Sequence, residues 1–389
     1  MRRYSADDEM RVFMSDAVGE WTGAGLLSRD QRQALEPELS VGLRRTGRML
    51  RVGLALFTVI AGAAAVGLVL VVTDLSSEWA LSVVTALLAV GALKLADVAA
   101  VTYRLYRFGV EEALALGGVG LSAFAAGMLA SALFGSNSAN TAWLFASAAA
   151  GLMAVGIYRC FGFRYAPVLA MVAFALMPLP FDSLTPALKR LIGAVVCATA
   201  FVAAHRAGAR ASDDVRMGDA ETLRSAAVAG MYIFLNLQLS GAVIGGTVPG
   251  WFRWGTLLLA WALPLWVVRR AIDTREPWLL RVGLGALVLS LATTKGYLGW
   301  PPRPWDPIVF GVVLIVGATV LRRWLNAGSA GERNGVTARR LLESDAALMR
   351  LVSLTALATP PENAHATART NEGGFAGGRS GGGGAEAGY

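Results

Sequence analysis

Ten apolar stretches, separated by short polar connections, fill the sequence from Leu50 to Leu321. A helix needs about 20 consecutive apolar residues to cross a bilayer, with a range of about 17–25. Hydrophobic residues make up 55% of the 389 positions, charged residues only 16%, and the mean hydropathy is +0.53. A soluble globular chain is usually about 25% charged. The sequence therefore predicts an all-α fold: a polytopic transmembrane helical bundle of about ten spans.

The predicted bundle covers residues 50–322. Because most connections are brief, neighbouring spans are expected to be antiparallel partners. The predicted spans are Leu50–Val72, Trp79–Val101, Ala113–Phe134, Thr141–Tyr158, Ala166–Phe181, Ala187–Ala204, Ser225–Gly246, Trp251–Val268, Trp278–Thr294 and Asp306–Leu321.

Arginine is concentrated in alternate connections, which predicts the orientation. Residues 73–78 and 135–140 contain no Lys or Arg, whereas the connections on either side of them are arginine-rich. Short loops rich in Lys and Arg stay in the cytoplasm. An even number of spans with cytoplasmic N- and C-termini explains this alternation. The predicted outer side keeps only Lys189, Arg190, Arg253, Lys295 and Arg303.

Residues 1–49 are predicted to form a cytoplasmic N-terminal helical hairpin. Apolar residues recur at helical spacing along its first helix, at Met10, Phe13, Met14, Val18 and Trp21. Residues 28–31 have the form of a capping box, in which Ser28 begins the second helix and Gln31 reaches back to it. The hairpin could dock on the bundle, associate with a second copy or bind another protein, and docking is the simplest of the three.

An arginine cluster follows the hairpin at the predicted membrane surface. Basic side chains in this position attract anionic lipid headgroups. The predicted headgroup contacts are Arg44, Arg45, Arg48 and Arg51.

The hairpin motif resembles the start of a family of bacterial polytopic membrane proteins classed as a domain of unknown function. In that family a W-x-x-x-G-L-I-s-x-e-Q-like hairpin precedes eight to twelve spans. The matching positions are Trp21, Gly25, Leu26, Leu27, Ser28 and Gln31. The sequence departs from the family pattern at residues 73–78, where an Asn-Trp pair is expected. The resemblance implies an architecture and no known activity.

Two further regions are predicted after the bundle. Residues 323–358 read as a cytoplasmic segment with a short amphipathic helix over Val336–Leu354. Residues 359–389 are rich in glycine and cannot bury apolar surface, so a disordered tail is predicted there.

Catalytic and metal-binding motifs are missing from the sequence. Its two histidines are His205 and His365, and its two cysteines are Cys160 and Cys197, which leaves hardly any candidates for a zinc site or a Cys-His pair. The positive charge is not gathered on a basic domain with interleaved aromatic residues, as nucleic-acid binding would require. The sequence predicts no enzyme, no cofactor, no metal and no nucleic-acid partner.

Polar residues at membrane depth are the remaining candidates for a functional site, because they are costly in lipid. Asn236 and Gln238 lie midway along the seventh span, and Lys94 and Asp97 lie three residues apart on the second. Asn236 and Gln238 could face a lumen or form hydrogen bonds between helices. Lys94 and Asp97 could neutralise each other, or Lys94 could extend to the cytoplasmic surface. An unpaired Asp97 could instead carry a proton or coordinate a cation.

Two functions remain open from the sequence. A non-enzymatic scaffold or sensor predicts that the intramembrane polar groups pair internally and that no continuous cavity crosses the bundle. A carrier or channel for a small solute, ion or lipid predicts a water-accessible cavity lined by Asn236 and Gln238, with Asp97 as a further candidate. Either would be a multi-pass protein of the bacterial inner membrane, with the first span as an uncleaved insertion signal, since residues 1–49 are polar.

The predicted orientation can be tested with topology reporters. A periplasm-active reporter inserted at residues 135–140 should be active, and one inserted at residues 205–224 should be silent, because arginine holds the second connection in the cytoplasm. A cytoplasm-active reporter should give the reverse pattern. Equal activity of one reporter at both positions would contradict the predicted path of the chain.

Overall fold

The structure is a computed structural model that describes residues 3–23, 27–73, 77–135, 139–211, 214–274, 276–301, 303–327, 332–333 and 336–337. The chain divides into two compact units. The larger unit comprises Met1–Asp16 and Glu36–Ala338 and contains the bundle. The smaller unit comprises Ala17–Leu35 and Arg339–Tyr389.

The described chain is α-helical, as the sequence predicts, apart from one short antiparallel pair of two-residue strands. The elements in chain order are α1 Ala6–Gly23, α2 Arg29–Leu35, α3 Arg48–Thr73, α4 Glu78–Val101, α5 Val110–Phe134, α6 Ala139–Phe161, α7 Ala166–Leu176, α8 Pro186–Arg210, α9 Asp214–Leu235, α10 Leu237–Ser240, α11 Gly250–Thr274, α12 Pro277–Leu298, α13 Asp306–Asn326, β1 Glu332–Arg333 and β2 Val336–Thr337.

Seven helices within the described ranges are long and apolar enough to cross a membrane: α3, α4, α5, α6, α8, α11 and α12. They coincide with seven of the ten predicted spans, and the polytopic helical bundle is confirmed. The fifth, seventh and tenth predicted spans are not confirmed as spans.

Local sequence explains two of these three differences. Helix α7 stops after 11 residues because Pro178 and Pro180 follow, and neither has an N–H to donate to the carbonyl four residues before it. The predicted seventh span is broken at Asn236, whose extended backbone (φ −85°, ψ 107°) separates α9 from α10. The tenth predicted span falls on α13, which is not one of the seven.

Small residues let neighbouring helices approach closely, which is how helices associate where lipid supplies no hydrophobic driving force. A Cβ atom on Gly118 of α5 would lie 2.7 Å from Leu93 of α4, and one on Gly193 of α8 would lie 2.5 Å from Phe234 of α9. Sequence neighbours pack antiparallel, so the chain alternates between two ends of the bundle. We call them the basic end, which holds the starts of α3, α5 and α9, and the opposite end, which holds the starts of α4, α8 and α11.

Helix α3 lies at the edge of the bundle. None of its most apolar 18-residue window is buried by protein, which leaves lipid as its solvent. Its contact with the bundle is at the basic end, where Gly109 (φ 101°) lies against the Arg51 carbonyl. A Cβ atom at residue 109 would be 2.2 Å from that oxygen, so glycine is required there.

Several tryptophans are exposed near helix ends, where the membrane interfaces would lie and where an indole ring prefers to be. They are Trp79, Trp251, Trp254, Trp278, Trp300, Trp305 and Trp324. Arginine side chains lie over two of these rings, with Arg281 4.7 Å from the Trp278 centroid and Arg303 5.3 Å from that of Trp305.

The N-terminal segment of the larger unit docks on the basic end of the bundle. The Arg3 amide donates to the Cys160 carbonyl at 2.8 Å, and the Tyr4 hydroxyl donates to the Leu105 carbonyl at 2.7 Å. Val12 of α1 is 1% exposed. Docking, the simplest of the three predicted roles of the hairpin, is therefore observed for residues 3–16.

The buried face of α1 coincides only in part with the face that the apolar spacing predicts. Val18 is buried, as that spacing predicts, and Glu9 and Val12 are buried too. Phe13 and Met14, however, are 38% and 49% exposed. The spacing rule assumes that apolar residues mark the buried face. Here Glu9 lines a polar cavity, so a charged residue takes a buried position and part of the apolar stripe faces outward.

Within the smaller unit the capping box is confirmed. The Ser28 amide donates to Gln31 Oε1 at 2.9 Å, and the Gln31 amide donates to Ser28 Oγ at 3.2 Å. These reciprocal bonds satisfy donors that the first turn of a helix leaves unpaired, and they fix the start of α2.

The predicted helix over Val336–Leu354 is wrong at its start, because Val336 and Thr337 form β2 and pair with β1. The rest of that predicted helix and the predicted disordered tail, residues 359–389, lie outside the described residues.

Candidate functional site

Asn236 occupies the break between α9 and α10 and is fully buried. Its Oδ1 atom accepts from the amides of Gln238 (3.1 Å) and Leu239 (3.4 Å), which caps α10. Its Nδ2 atom donates to the hydroxyls of Tyr232 (3.0 Å) and Thr293 (2.9 Å). The side chain therefore uses all of its hydrogen-bonding groups inside the protein.

A chain of hydroxyl groups continues from Asn236 toward α11. The Tyr232 hydroxyl lies 2.9 Å from Ser290 Oγ, and Ser290 Oγ donates to the Ala260 carbonyl. That carbonyl lacks its helical partner because Pro264, four residues later, has no N–H. The oxygen that Pro264 leaves without a helical donor is thus satisfied within the bundle by Ser290.

A buried arginine lies close to the chain that follows this break, at the opposite end of the bundle. Arg190 of α8 is 2% exposed. Its Nε atom donates to Ser240 Oγ at 2.9 Å, Nη1 donates to the Pro186 carbonyl at 3.1 Å, and Nη2 donates to the Ile244 carbonyl. These bonds attach the chain that follows α10 to the start of α8.

Tyr297 of α12 ties the broken helix to its neighbour. Its hydroxyl accepts from the Leu237 amide at 2.6 Å and donates to the Leu235 carbonyl at 3.3 Å. Both backbone groups belong to the interruption at Asn236, so water is not needed to satisfy them.

The other predicted site residues do not gather around Asn236. Gln238 is exposed on α10 beside Gly296, where a Cβ atom would come within 2.5 Å of the Gln238 amide carbon. Lys94 is exposed on α4. Asp97 pairs with Arg3 of the N-terminal segment, with Nε and Oδ1 2.6 Å apart, rather than with Lys94.

Two of the predicted lipid-contact arginines have carboxylate partners in the protein. Arg45 Nη1 lies 3.0 Å from Asp16 Oδ1, and Arg51 holds Glu112 through two hydrogen bonds. Arg44 contributes its backbone to a bridge with Leu105. The side chain of Arg48 lies outside the described part of the structure. Headgroup contact by this cluster stays a prediction.

Sequence reasoning missed a second polar region, a cavity of about 220 Å³ at the basic end. We call it the basic-end cavity. Its walls combine three arginines, three carboxylates and four aromatic rings with two smaller residues: Arg51, Arg107, Arg164, Glu9, Glu112, Asp219, Tyr106, Phe161, Phe163, Tyr165, Gly162 and Val215.

Ion pairs hold most of the charges around this cavity. Glu112 binds Arg51, and Asp219, which is 3% exposed, lies 3.1 Å from Arg164 Nε. Glu111 beside Glu112 accepts from the Phe108 amide at 2.8 Å, which is the helix N-terminal role that acidic residues favour. Glu111 thus accepts from a backbone amide, whereas the neighbouring Glu112 binds an arginine side chain.

Burial affects the phenols at the basic end. It raises the pKa of Tyr106 above its ordinary value, and it also raises the pKa values of Tyr4 and Tyr165. All three hydroxyls therefore keep their protons at neutral pH and can act as hydrogen-bond donors.

The cavity was hidden from the sequence because its residues come from five separate places along the chain. Glu111 and Glu112 could be read only as the acidic start of a helix. The pairing of Arg51 with Glu112 spans 61 positions and depends on how α3 and α5 pack. The one usable indication was the run of aromatic residues around Arg164, residues 161–165.

No family model matches this chain, and no curated protein matches it significantly.

Asn236 and Gln238, which the sequence analysis named together as site candidates, should differ in how much their substitution lowers the stability of the protein. Asn236→Leu should lower the free energy of unfolding by about 2 kcal/mol, because α10 loses its cap and the amides of residues 238 and 239 lose an acceptor. Gln238→Leu should change it by less than about 0.5 kcal/mol, since Gln238 is exposed.

The measurement is denaturant unfolding of the purified protein in detergent, followed by circular dichroism. Equal losses in the two variants would contradict the assignment of Asn236 as the residue that stabilises the break.

Proposed function

We propose that the chain is a multi-pass scaffold of the bacterial inner membrane, with cytoplasmic termini, that works through protein contacts rather than catalysis. The observation that carries the proposal is the docking of α1. One face of α1 holds the basic end of the bundle, and the other presents Phe13 and Met14. Exposed apolar side chains on a rigidly held helix favour contact with a partner protein.

The intramembrane polar groups support the same function. The scaffold hypothesis expects these groups to be used inside the protein. Asn236 makes four hydrogen bonds there, and Asp97 is paired with Arg3. Membership of the family that the N-terminal motif resembles is part of this proposal.

Photo-crosslinking in cells tests the scaffold function. A photoreactive benzoylphenylalanine in place of Phe13 should yield a discrete crosslinked species, because this position is exposed on the docked helix. The same group at Asp182, exposed at the opposite end, is the control and should not yield that species. Identical products from both positions, or none from Phe13, would contradict partner binding by α1.

A carrier is the second candidate, favoured by the helix break at Asn236. Interrupted helices near the middle of a membrane frequently form the solute site of transporters. In such a carrier, the hydroxyl groups around Tyr232 and Ser290 would have to become accessible to water during transport.

Thiol accessibility separates the two candidates. In a chain lacking both native cysteines (Cys160→Ser, Cys197→Ala), Ser290→Cys should resist a charged, membrane-impermeant thiol reagent, because Ser290 is 1% exposed. Ser183→Cys, in an exposed turn, is the matched control and should react. Comparable reaction rates at the two positions would count against the scaffold and in favour of the carrier.

A further inference from the structure

The basic-end cavity has the size of a small ligand. Its volume of about 220 Å³ is below the roughly 300–1,000 Å³ of pockets that take drug-sized molecules. Residues from α1, the starts of α3, α5 and α9, the α4–α5 connection, the end of α6 and the α6–α7 connection enclose it. A ligand there would touch the docked N-terminal helix and the bundle at once.

Arg107 differs from the other two arginines of the cavity. Arg51 and Arg164 each hold a carboxylate at hydrogen-bonding distance, whereas the nearest carboxylate oxygen of Asp16 is 3.8 Å from Arg107 Nη1. The Arg107 guanidinium lies over the Tyr106 ring, 5.2 Å from its centroid. It makes no hydrogen bond with any described residue, so its N–H donors remain available to a ligand.

Tyr106 supplies a second donor beside it. The residue is 6% exposed and lines the cavity. Its ring packs edge-on against Tyr4 with centroids 4.9 Å apart, and its hydroxyl has no hydrogen-bond partner among the described residues. The hydroxyl is therefore available to donate a hydrogen bond to a ligand in the cavity.

The backbone holds both residues in place. Arg107 has a left-handed conformation (φ 53°), which is uncommon for a residue with a side chain. On the other side, the Tyr106 amide donates to the Arg44 carbonyl at 3.1 Å, and the Arg44 amide donates to the Arg104 carbonyl at 2.9 Å. Two backbone hydrogen bonds to Arg44 thus fix the loop, which needs little rearrangement to bind a ligand.

We propose that the basic-end cavity binds an oxyanion, a carboxylate or phosphate group, through the Arg107 guanidinium and the Tyr106 hydroxyl. The planar fork of arginine matches both oxyanions. Two of the three carboxylates in the walls, Glu112 and Asp219, are held by Arg51 and Arg164 and do not compete for Arg107. The oxyanion can belong to a small soluble molecule or to an anionic lipid headgroup. This site goes beyond the scaffold function and does not require it.

Inorganic phosphate is the probe for the first experiment, with the full chain purified in detergent. Phosphate should raise the thermal unfolding midpoint in a saturable manner relative to sodium chloride of equal ionic strength, because a ligand that binds only the folded state stabilises it. Arg107→Gln and Tyr106→Phe should each weaken binding about tenfold or more. Tyr106→Phe keeps the ring against Tyr4, so it tests the hydroxyl alone.

Arg104→Gln is the matched control. Arg104 lies in the same connection and also has a positive φ (54°), but it is exposed and does not line the cavity. This variant should bind phosphate as the unsubstituted chain does. Equal phosphate responses in the Arg104 and Arg107 variants, or no saturable response in the unsubstituted chain, would overturn the proposal.

Nanodiscs distinguish the two sources of the oxyanion. If a headgroup is the ligand, phosphatidylglycerol added to phosphatidylcholine should stabilise the unsubstituted chain more than Arg107→Gln and should suppress the phosphate response. If a soluble molecule is the ligand, the phosphate response should persist in both lipid mixtures. Either result requires Arg107, and neither depends on a protein partner, so a failed crosslink at Phe13 would leave this site untouched.

Discussion

Lipid offers no hydrogen bonds, and this constraint governs the interior of the bundle. A continuous helix satisfies its own backbone, but the break at Asn236 leaves amides and carbonyls that the protein itself must satisfy. The side chains of Asn236 and Tyr297 do so from within the bundle. The same rule explains why Ser290 lies opposite Pro264, whose missing N–H frees the Ala260 carbonyl. Polar residues here serve to complete an irregular backbone, and that accounts for their presence at membrane depth.

Buried charged side chains have different kinds of partner at the two ends of the bundle. At the opposite end, Arg190 is surrounded by carbonyl and hydroxyl oxygens and acts as a clamp on the chain after α10. At the basic end, arginines and carboxylates alternate around a cavity and bind one another. Removing one member of a buried ion pair leaves the other charge uncompensated. The basic end is therefore a network whose members depend on one another, and α1 belongs to it through Asp16, which pairs with Arg45.

Most of the architecture could be predicted from the length of the apolar runs and from the alternation of charge between the connections. Seven of the predicted spans are present because each is an uninterrupted apolar run, and such runs identify spans without knowledge of their neighbours. The capping box at Ser28 and Gln31 was equally local and equally predictable. Asn236 could be named as a site candidate from the sequence. Its role as a helix cap could not be predicted, because the apolar run around it does not indicate a helix break. The separation of Asn236 from Gln238 follows from that break.

The basic-end cavity could not be predicted, because its geometry arises from contacts between distant positions. Arg51 and Glu112 meet only when α3 lies beside α5, and Tyr106 faces Glu9 only when α1 is docked. The apolar spacing of α1 predicted its buried face only in part, for a related reason. Periodicity identifies an apolar face but does not say what will cover it, and here the bundle offers a polar surface that Glu9 suits better than Phe13 or Met14.

The position of Glu9 in the basic-end cavity also imposes an order on the assembly of the molecule. Ribosomes make the chain from its N-terminus, yet Glu9 shares its cavity with Val215 and Asp219. The complete surface for α1 therefore exists only after α9 has been made, whereas the contacts of Arg3 with Cys160 and of Tyr4 with Leu105 need no residue beyond 160. The N-terminal segment thus gains its binding surface in two stages, the first before α9 and the second with it.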